Sequence, residues 1–233
     1  SGNLTQNMRA SSVAVTLPDL SVSVARFYPF RRKHQVGKER WYEKISMSYT
    51  GQMSNSITTK EDKLLKSNLI KDWRNGMQHR IPIDATFQLF KFINISPSFS
   101  FRDLMYATRI NRSWDRDKQQ EVCDTTYGFY NLYDWNVGLS ANTTLYGFYK
   151  PWKRLFGDKI IAIRHVFKPT VSFSYAPDFT APSYGYTKYY DKVDAAGNVT
   201  SVKYSPYSGN LYGYPSGSKQ GMVTMSVSNN VEM

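Results

Sequence analysis

The sequence predicts an all-β fold, an antiparallel transmembrane β-barrel segment with about seven strands of a larger barrel, in one domain over residues 1–233 with no internal boundary. Apolar and small polar residues alternate with period two in segment after segment, which gives a strand one face of each kind. Tyr (18) and Phe (13) are abundant, as strands favour and helices do not require. Charge is almost missing from the alternating stretches. Residues 45–53, 81–89, 93–101, 136–146, 170–176 and 222–229 hold 53 residues and one charged side chain, Asp84, where the chain's own 21% of charged residues would place about eleven.

That third observation decides the environment. A soluble sandwich turns one face of each strand to bulk water and lines it with Lys, Glu, Arg and Thr, partly to deter edge pairing. Here the second face carries Ser, Thr, Asn and Gln instead. In a membrane barrel the apolar face meets lipid and the other lines a wet lumen, and closure satisfies every backbone group between strands. No apolar run of 18 residues exists, so no transmembrane helix is expected; a spanning strand needs only about 9 to 11 residues.

In chain order, "SVAVTLPDLSVSV" carries Val13, Val15 and Leu17 on one parity and Leu20, Val22 and Val24 on the other, which predicts a bulge at Pro18-Asp19. "ISMSYTGQM" sets Ile45, Met47, Tyr49 and Met53 against Ser46, Ser48, Thr50 and Gln52. "IPIDATFQL" and "INISPSFSF" share an odd-numbered apolar set that includes Phe87 and Phe99, and residues 90–92 form a tight turn between them. "NVGLSANTTLY", "TVSFSYAPDF" and "MVTMSVSN" repeat the pattern through Val137 and Leu139, Val171 and Phe173, and Met225 and Val227. Long links at residues 54–76, 108–124 and 177–220 alternate with shorter ones at 90–92 and 147–159, while residues 28–43 form a long link at the short-link end. Within the first long link, Thr59 and Asp62 ahead of Leu65, Leu69, Ile70 and Trp73 predict a short amphipathic helix. The chain starts and stops near alternating runs, so a piece of a longer protein is expected.

Site chemistry is sparse. His34, His79 and His165 lack ligand-spaced partners, and Cys123 is a lone thiol, so neither a metal site nor a disulfide is expected. Asp84 has no second carboxylate near it, and no phosphate-cradling or nucleophile-elbow motif occurs, so an enzyme is not expected, nor a cofactor. A net charge of +12 favours an anionic partner. The basic run "RRKHQVGKER" reads as a solvated loop or one that meets anionic headgroups, not as a nucleic-acid site.

The segment "IRHVFKPTVSFSYAPDF" resembles the LptD (OstA-like) family of outer-membrane lipopolysaccharide assembly proteins through Arg164, His165, Pro169, Tyr175 and Pro177. "TLPDLSVSVARFYPFRRK", "RWYEKISMSYTG", "LIKDWRNGMQH", "LYGFYKP" and "YSPYSGNLYGYP" are similar to family segments in the same order. The resemblance implies a bacterial outer-membrane protein that transports lipopolysaccharide and inserts it into the outer leaflet as part of a translocon barrel. It also implies an LptE-type plug lipoprotein and periplasmic lipopolysaccharide bridge proteins as partners. Two other readings fit the alternation alone: another outer-membrane porin or receptor barrel, or a soluble β-sandwich that binds glycans. The family motif residues are expected to be structural. Lumen-facing candidates are Ser46, Ser48, Thr86, Ser98, Ser100, Ser140, Asn142, Ser172, Ser174 and Ser226, and lipid-facing candidates are Ile45, Met47, Phe87, Phe99, Val137, Leu139, Val171, Phe173, Met225 and Val227. Basic side chains of the long links, Lys60, Lys63 and Lys66 with Arg109, Arg112 and Arg116, are expected to meet glycolipid phosphates.

Overall fold

Period-two alternation with short connections leaves each strand one inexpensive partner, the strand that follows it, and the result is a meander. The computed structural model describes all residues except 8–11, 35, 65, 69–70, 151–162, 195 and 233. Its strands are β1 (Asn3–Asn7), β2 (Ser12–Phe27), β3 (Ser46–Lys60), β4 (Arg74–Asp84), β5 (Phe87–Leu89), β6 (Ile93–Asp115), β7 (Gln120–Thr143), β8 (Leu145–Tyr149), β9 (Ile163–Ala176), β10 (Lys188–Val193), β11 (Val199–Tyr204) and β12 (Gln220–Glu232). The main sheet runs β1-β2-β3-β4-β6-β7-β9-β12, with β5 added to β6 and β8 to β9, and β10 and β11 pair separately. Every pairing is antiparallel. The order is open, with β1 and β12 at its ends.

Bulges keep the faces sorted. The register of β2 on β3 shifts between Thr16 and Asp19, so Val15 opposes Ile57 below the shift and Leu20 opposes Met53 above it. Ile57 and Met53 have the same parity in β3, so the bulge returns both apolar sets of β2 to one face. Between β5 and β6 the chain reverses at Phe90 and Lys91, both with positive φ (49° and 65°), closed by the Phe92 N–H donating to the Leu89 carbonyl at 3.2 Å.

Several expectations change. The link expected at residues 177–220 contains β10 and β11, and β8 enters the one expected at 147–159, of which residues 151–159 lie outside the described residues. The link expected at residues 108–124 is a continuation of β6 and β7, which reach 23 and 24 residues and turn only between Asp115 and Gln120. Polar and charged side chains there hide the strand pattern, because the hairpin projects beyond the main sheet and has no continuous apolar face to preserve. The expected amphipathic helix is a single turn, α1 (Glu61–Leu64), since β3 runs on to Lys60 and takes the capping position; Leu65, Leu69 and Ile70 lie outside the described residues. Ile45 precedes β3, as the cap of a 3₁₀ turn over Trp41–Lys44.

Residues 28–34 and 36–45 fold around one buried carboxylate. Glu43 is fully buried. Arg32 donates to both of its oxygens, to Oε2 at 3.0 Å, and the Arg40 backbone N–H donates to Oε2 at 2.7 Å. These donors, the guanidinium first, hold the Glu43 carboxyl down at about 2. The stabilisation is therefore complete above the ordinary glutamate range and is lost as pH falls from about 4.5 toward about 2. Protection factors of residues 28–34 and 36–45, corrected for intrinsic exchange at each pH, should stay high at pH 5 and fall by pH 3, and those of Glu43→Gln should already be low at pH 7. Equal protection in wild type and variant at neutral pH would contradict this account.

Candidate functional site

Residues paired across adjacent strands share a face, so the register sorts side chains without ambiguity. One face carries rows of hydroxyls and amides. Asn94, Asn142, Thr170 and Ser226 form one row, and Ser96, Ser140, Ser172 and Thr224 the next. A third runs Ser46, Asp84, Ser98, Gly138 and Ser174, and Pro82, Ser100 and Asn136 lie above it. Ser48 shares the parity of Ser46 in β3. These groups bond one another: Asn94 Nδ2 donates to Asn142 Oδ1 at 3.2 Å, Ser172 Oγ to Ser140 Oγ at 3.3 Å, and Thr86 Oγ1 lies 3.4 Å from Ser96 Oγ. A Cβ at Gly138 would stand 2.5 Å from Ser98 Oγ, so glycine lets that hydroxyl lie flat across the neighbouring strand.

The opposite face is apolar. Its rows are Phe87 and Ile95 with Ala141, Val171 and Met225; Pro97, Leu139, Phe173 and Val223; and Met47, Ile83, Phe99, Val137 and Tyr175. Val227 opposes Pro169 on the same face. Much of this face is bare: Leu139 is 44% exposed, Phe173 42% and Met225 76%. Such a continuous apolar surface is foreign to soluble monomers. Along β6 the apolar set is interrupted after Phe101 by a polar row in which His79 and Asp103 oppose each other and the Tyr49 hydroxyl lies 2.7 Å from His79 Nδ1; beyond it Met53, Met77 and Met105 share the face. Exposed Phe90, Phe92, Tyr146, Phe148 and Trp41 lie near the short-link end.

Above the polar rows, the described residues of 177–219, all but 195, cross the β6–β7 hairpin on its polar-face side. They bury Leu104, Tyr106 and Leu132 under Phe179, Tyr186 and Tyr207. The crossing also completes backbone pairing where the sheet runs out of strands. Beyond Val137, β7 has no partner in β9; there the Tyr133 N–H donates to the Tyr186 hydroxyl at 2.9 Å and that hydroxyl donates to the Tyr133 carbonyl at 3.2 Å. On the β6 side the Ile110 N–H donates to the Pro206 carbonyl at 2.8 Å and the Arg112 N–H to the Tyr204 hydroxyl at 3.1 Å. Arg109 lies over the Tyr130 ring and Arg112 pairs with Glu121 at 2.8 Å, so these two cations serve the hairpin and its cap.

The motif around Arg164 ties β9 to β12. Arg164 pairs with Glu232 at 2.7 Å, and His165 Nε2 meets Asn229 Oδ1. Pro169 opposes Val227, Tyr175 lies between Val137 and Gly221, and Pro177 follows the end of β9.

Sequence reasoning missed a charged row between the hydroxyls and the cap: Thr50, Arg80, Arg102 and Asp134, opposed in that order across β3, β4, β6 and β7. The signal was available, because Arg102 continues the parity of Ser98 and Ser100, but the alternating windows stop where charge begins. Asp134 Oδ2 accepts from Arg102 Nε at 2.9 Å and from its Nη2.

A family model described as LptD protein matches residues 1–233. No curated protein and no solved structure matches the chain.

The cap depends on its buried aromatic anchor. Tyr207→Ala should remove about 3 kcal/mol of local stability, making opening of residues 177–219 roughly a hundredfold more frequent while β9 and β12 keep their pairing. Hydrogen exchange at Tyr133 and Ile110 reads this directly; unchanged protection at both would contradict the role assigned to Tyr207.

Proposed function

The chain belongs to the LptD family of outer-membrane lipopolysaccharide-transport proteins, and from that premise we propose that it forms part of a translocon barrel wall, one domain throughout, that passes lipopolysaccharide sugars along its polar face and delivers the glycolipid to the outer leaflet. The family works without catalysis, so the wall has to supply a path and not a reaction. The observation that carries the reading is the sorting of side chains row by row, with Met222 opposite Ser174 as an exception on the polar face. Ser46, Ser48, Thr86, Ser98, Ser100, Ser140, Asn142, Ser172, Ser174 and Ser226 then face the lumen, and Met47, Phe87, Phe99, Val137, Leu139, Val171, Phe173, Met225 and Val227 face lipid, with Ile45 at the rim.

Dimensions support it. Ten residues of β6 separate Ile93 from Asp103, about 33 Å of strand, which a tilt of about 40° converts into roughly 25 Å of membrane normal, the height of the apolar band in bacterial barrels. Aromatics gather near the short-link end as such bands require, and the His79–Asp103 row is the first polar break toward the other end, with Met53, Met77 and Met105 beyond it. By the bacterial convention the short links are periplasmic, and the β6–β7 hairpin and its cap project outward.

Hydroxyls and amides suit sugar passage because they exchange hydrogen bonds with glycan and water at nearly equal energy, so no step is held tightly. Further strands of the barrel would continue from the edges of β1 and β12. The proposed partners are an LptE-type lipoprotein in the lumen and the periplasmic bridge that supplies lipopolysaccharide. The Arg164–Glu232 pair would act structurally, fixing β12 to β9 near the periplasmic rim.

Arginine scanning by parity tests the assignment in the full-length protein. At mid-bilayer Arg costs roughly 2 to 4 kcal/mol, so Phe173→Arg and Val223→Arg, which share a central row, should cut the folded, heat-modifiable form in the outer membrane at least tenfold. Ser172→Arg and Ser226→Arg should assemble. Equal loss from both pairs would contradict opposite environments for the two faces.

A further inference from the structure

The polar face carries one energetic oddity. Arg80 and Arg102 sit directly opposite each other on β4 and β6, with side-chain origins about 5 Å apart. Like charges in that relation destabilise a sheet. One carboxylate stands beside them, and Asp134 spends one oxygen on two N–H groups of Arg102. Arg80 has no carboxylate partner among the described residues; its other neighbour in the row is Thr50. The row therefore holds a surplus positive charge.

Its surroundings form a receptacle. Arg80, Arg102 and Asp134 line a cleft of about 330 Å³ together with Ser100, Asn136 and the strap Ser216-Gly217-Ser218. Gly217 has φ 123°, a backbone conformation reserved for glycine, and it lets the strap cross the mouth of the cleft. Below the cleft lie the hydroxyl rows, with Asp84 the charged side chain among them, and above it the aromatic cap closes over Leu104 and Leu132. A group moving along the polar face reaches this row before it meets the cap.

We propose that Arg80 and Arg102, with Asp134 holding Arg102 in place, form a binding station for an anionic oxygen group on the transported glycan, a phosphate or a sugar carboxylate. Guanidinium forks match either group in a bidentate geometry. An anion between the two forks relieves the repulsion that the empty row bears. The surplus charge gives affinity, and the hydroxyl rows below the station leave the group free to depart. This station rests on the reading of the polar face as a lumen.

The test uses the full-length protein in its native complex, with a photo-crosslinking residue at Ser100 beside the station or at Ser172 in the neutral rows. Glycolipid adducts are expected at both positions. Arg80→Gln should lower the Ser100 adduct about fivefold or more relative to the Ser172 adduct, and Arg80→Lys, which keeps the charge but not the fork, should restore only part of it. A dephosphorylated glycolipid that loses this Arg80 dependence assigns the group to a phosphate, and retained dependence assigns it to a carboxylate. A Ser100 adduct indifferent to Arg80→Gln overturns the station while the lumen reading stands; no adduct at Ser172 overturns the lumen reading itself. A Ser100 adduct to a protein in place of glycolipid also overturns the station. Because the substitution removes repulsion, the heat-modifiable fraction of Arg80→Gln should equal or exceed that of wild type. A reduced fraction would show Arg80 to be structural and sink the proposal.

Discussion

Backbone hydrogen bonding between neighbouring strands is the constraint on which the rest of this structure depends. Each strand of the meander is committed to its neighbours along its length, and the pleat then sends alternate side chains to opposite faces. Because paired residues share a face, one register fixes the environment of a whole row, and a slip by one residue would exchange every hydroxyl for an apolar group. The bulge between Thr16 and Asp19 shows how closely this is kept, since it converts a change of parity in the sequence into apolar sets on one face. Where strands run out, side chains stand in for them: the Tyr186 hydroxyl occupies both backbone groups of Tyr133.

The same constraint explains the cap. A hairpin that outgrows its neighbours exposes unpaired edges, which invite aggregation. Residues 177–219 answer at both edges of the β6–β7 hairpin and bury an aromatic layer between. This layer forms the main buried core cluster among the described residues, and it lies outside the apolar band. The sheet between cap and short links has little interior, as expected of a wall with lipid on one side and water on the other.

The two faces were legible in the sequence because alternation is a local property: the parity of Ser172 and Phe173 is visible in six residues. The bulge at Pro18-Asp19 was legible for the same reason. The upper halves of β6 and β7 were not, since Arg109, Asn111, Asp115 and Glu121 look like loop residues when no continuous apolar face has to be kept. The Arg80–Arg102–Asp134 row was hidden because it joins residues far apart in the chain, and only register makes Arg80 and Arg102 neighbours. The burial of Glu43 was equally hidden; an acidic residue beside a dense basic run reads as solvated until the fold closes around it. Ordered matches along the chain supplied the family, which alternation alone left open among three readings.

The central claim is that hydrocarbon and water lie on opposite faces of one ribbon. Spin labels placed singly at residues 170 to 175 of the full-length protein in bilayers test it most directly, through collision with oxygen, which concentrates in lipid, and with a water-soluble nickel chelate. Oxygen should dominate at Val171, Phe173 and Tyr175 and the chelate at Thr170, Ser172 and Ser174, alternating residue by residue. Chelate access at both parities, or at neither, would contradict the account.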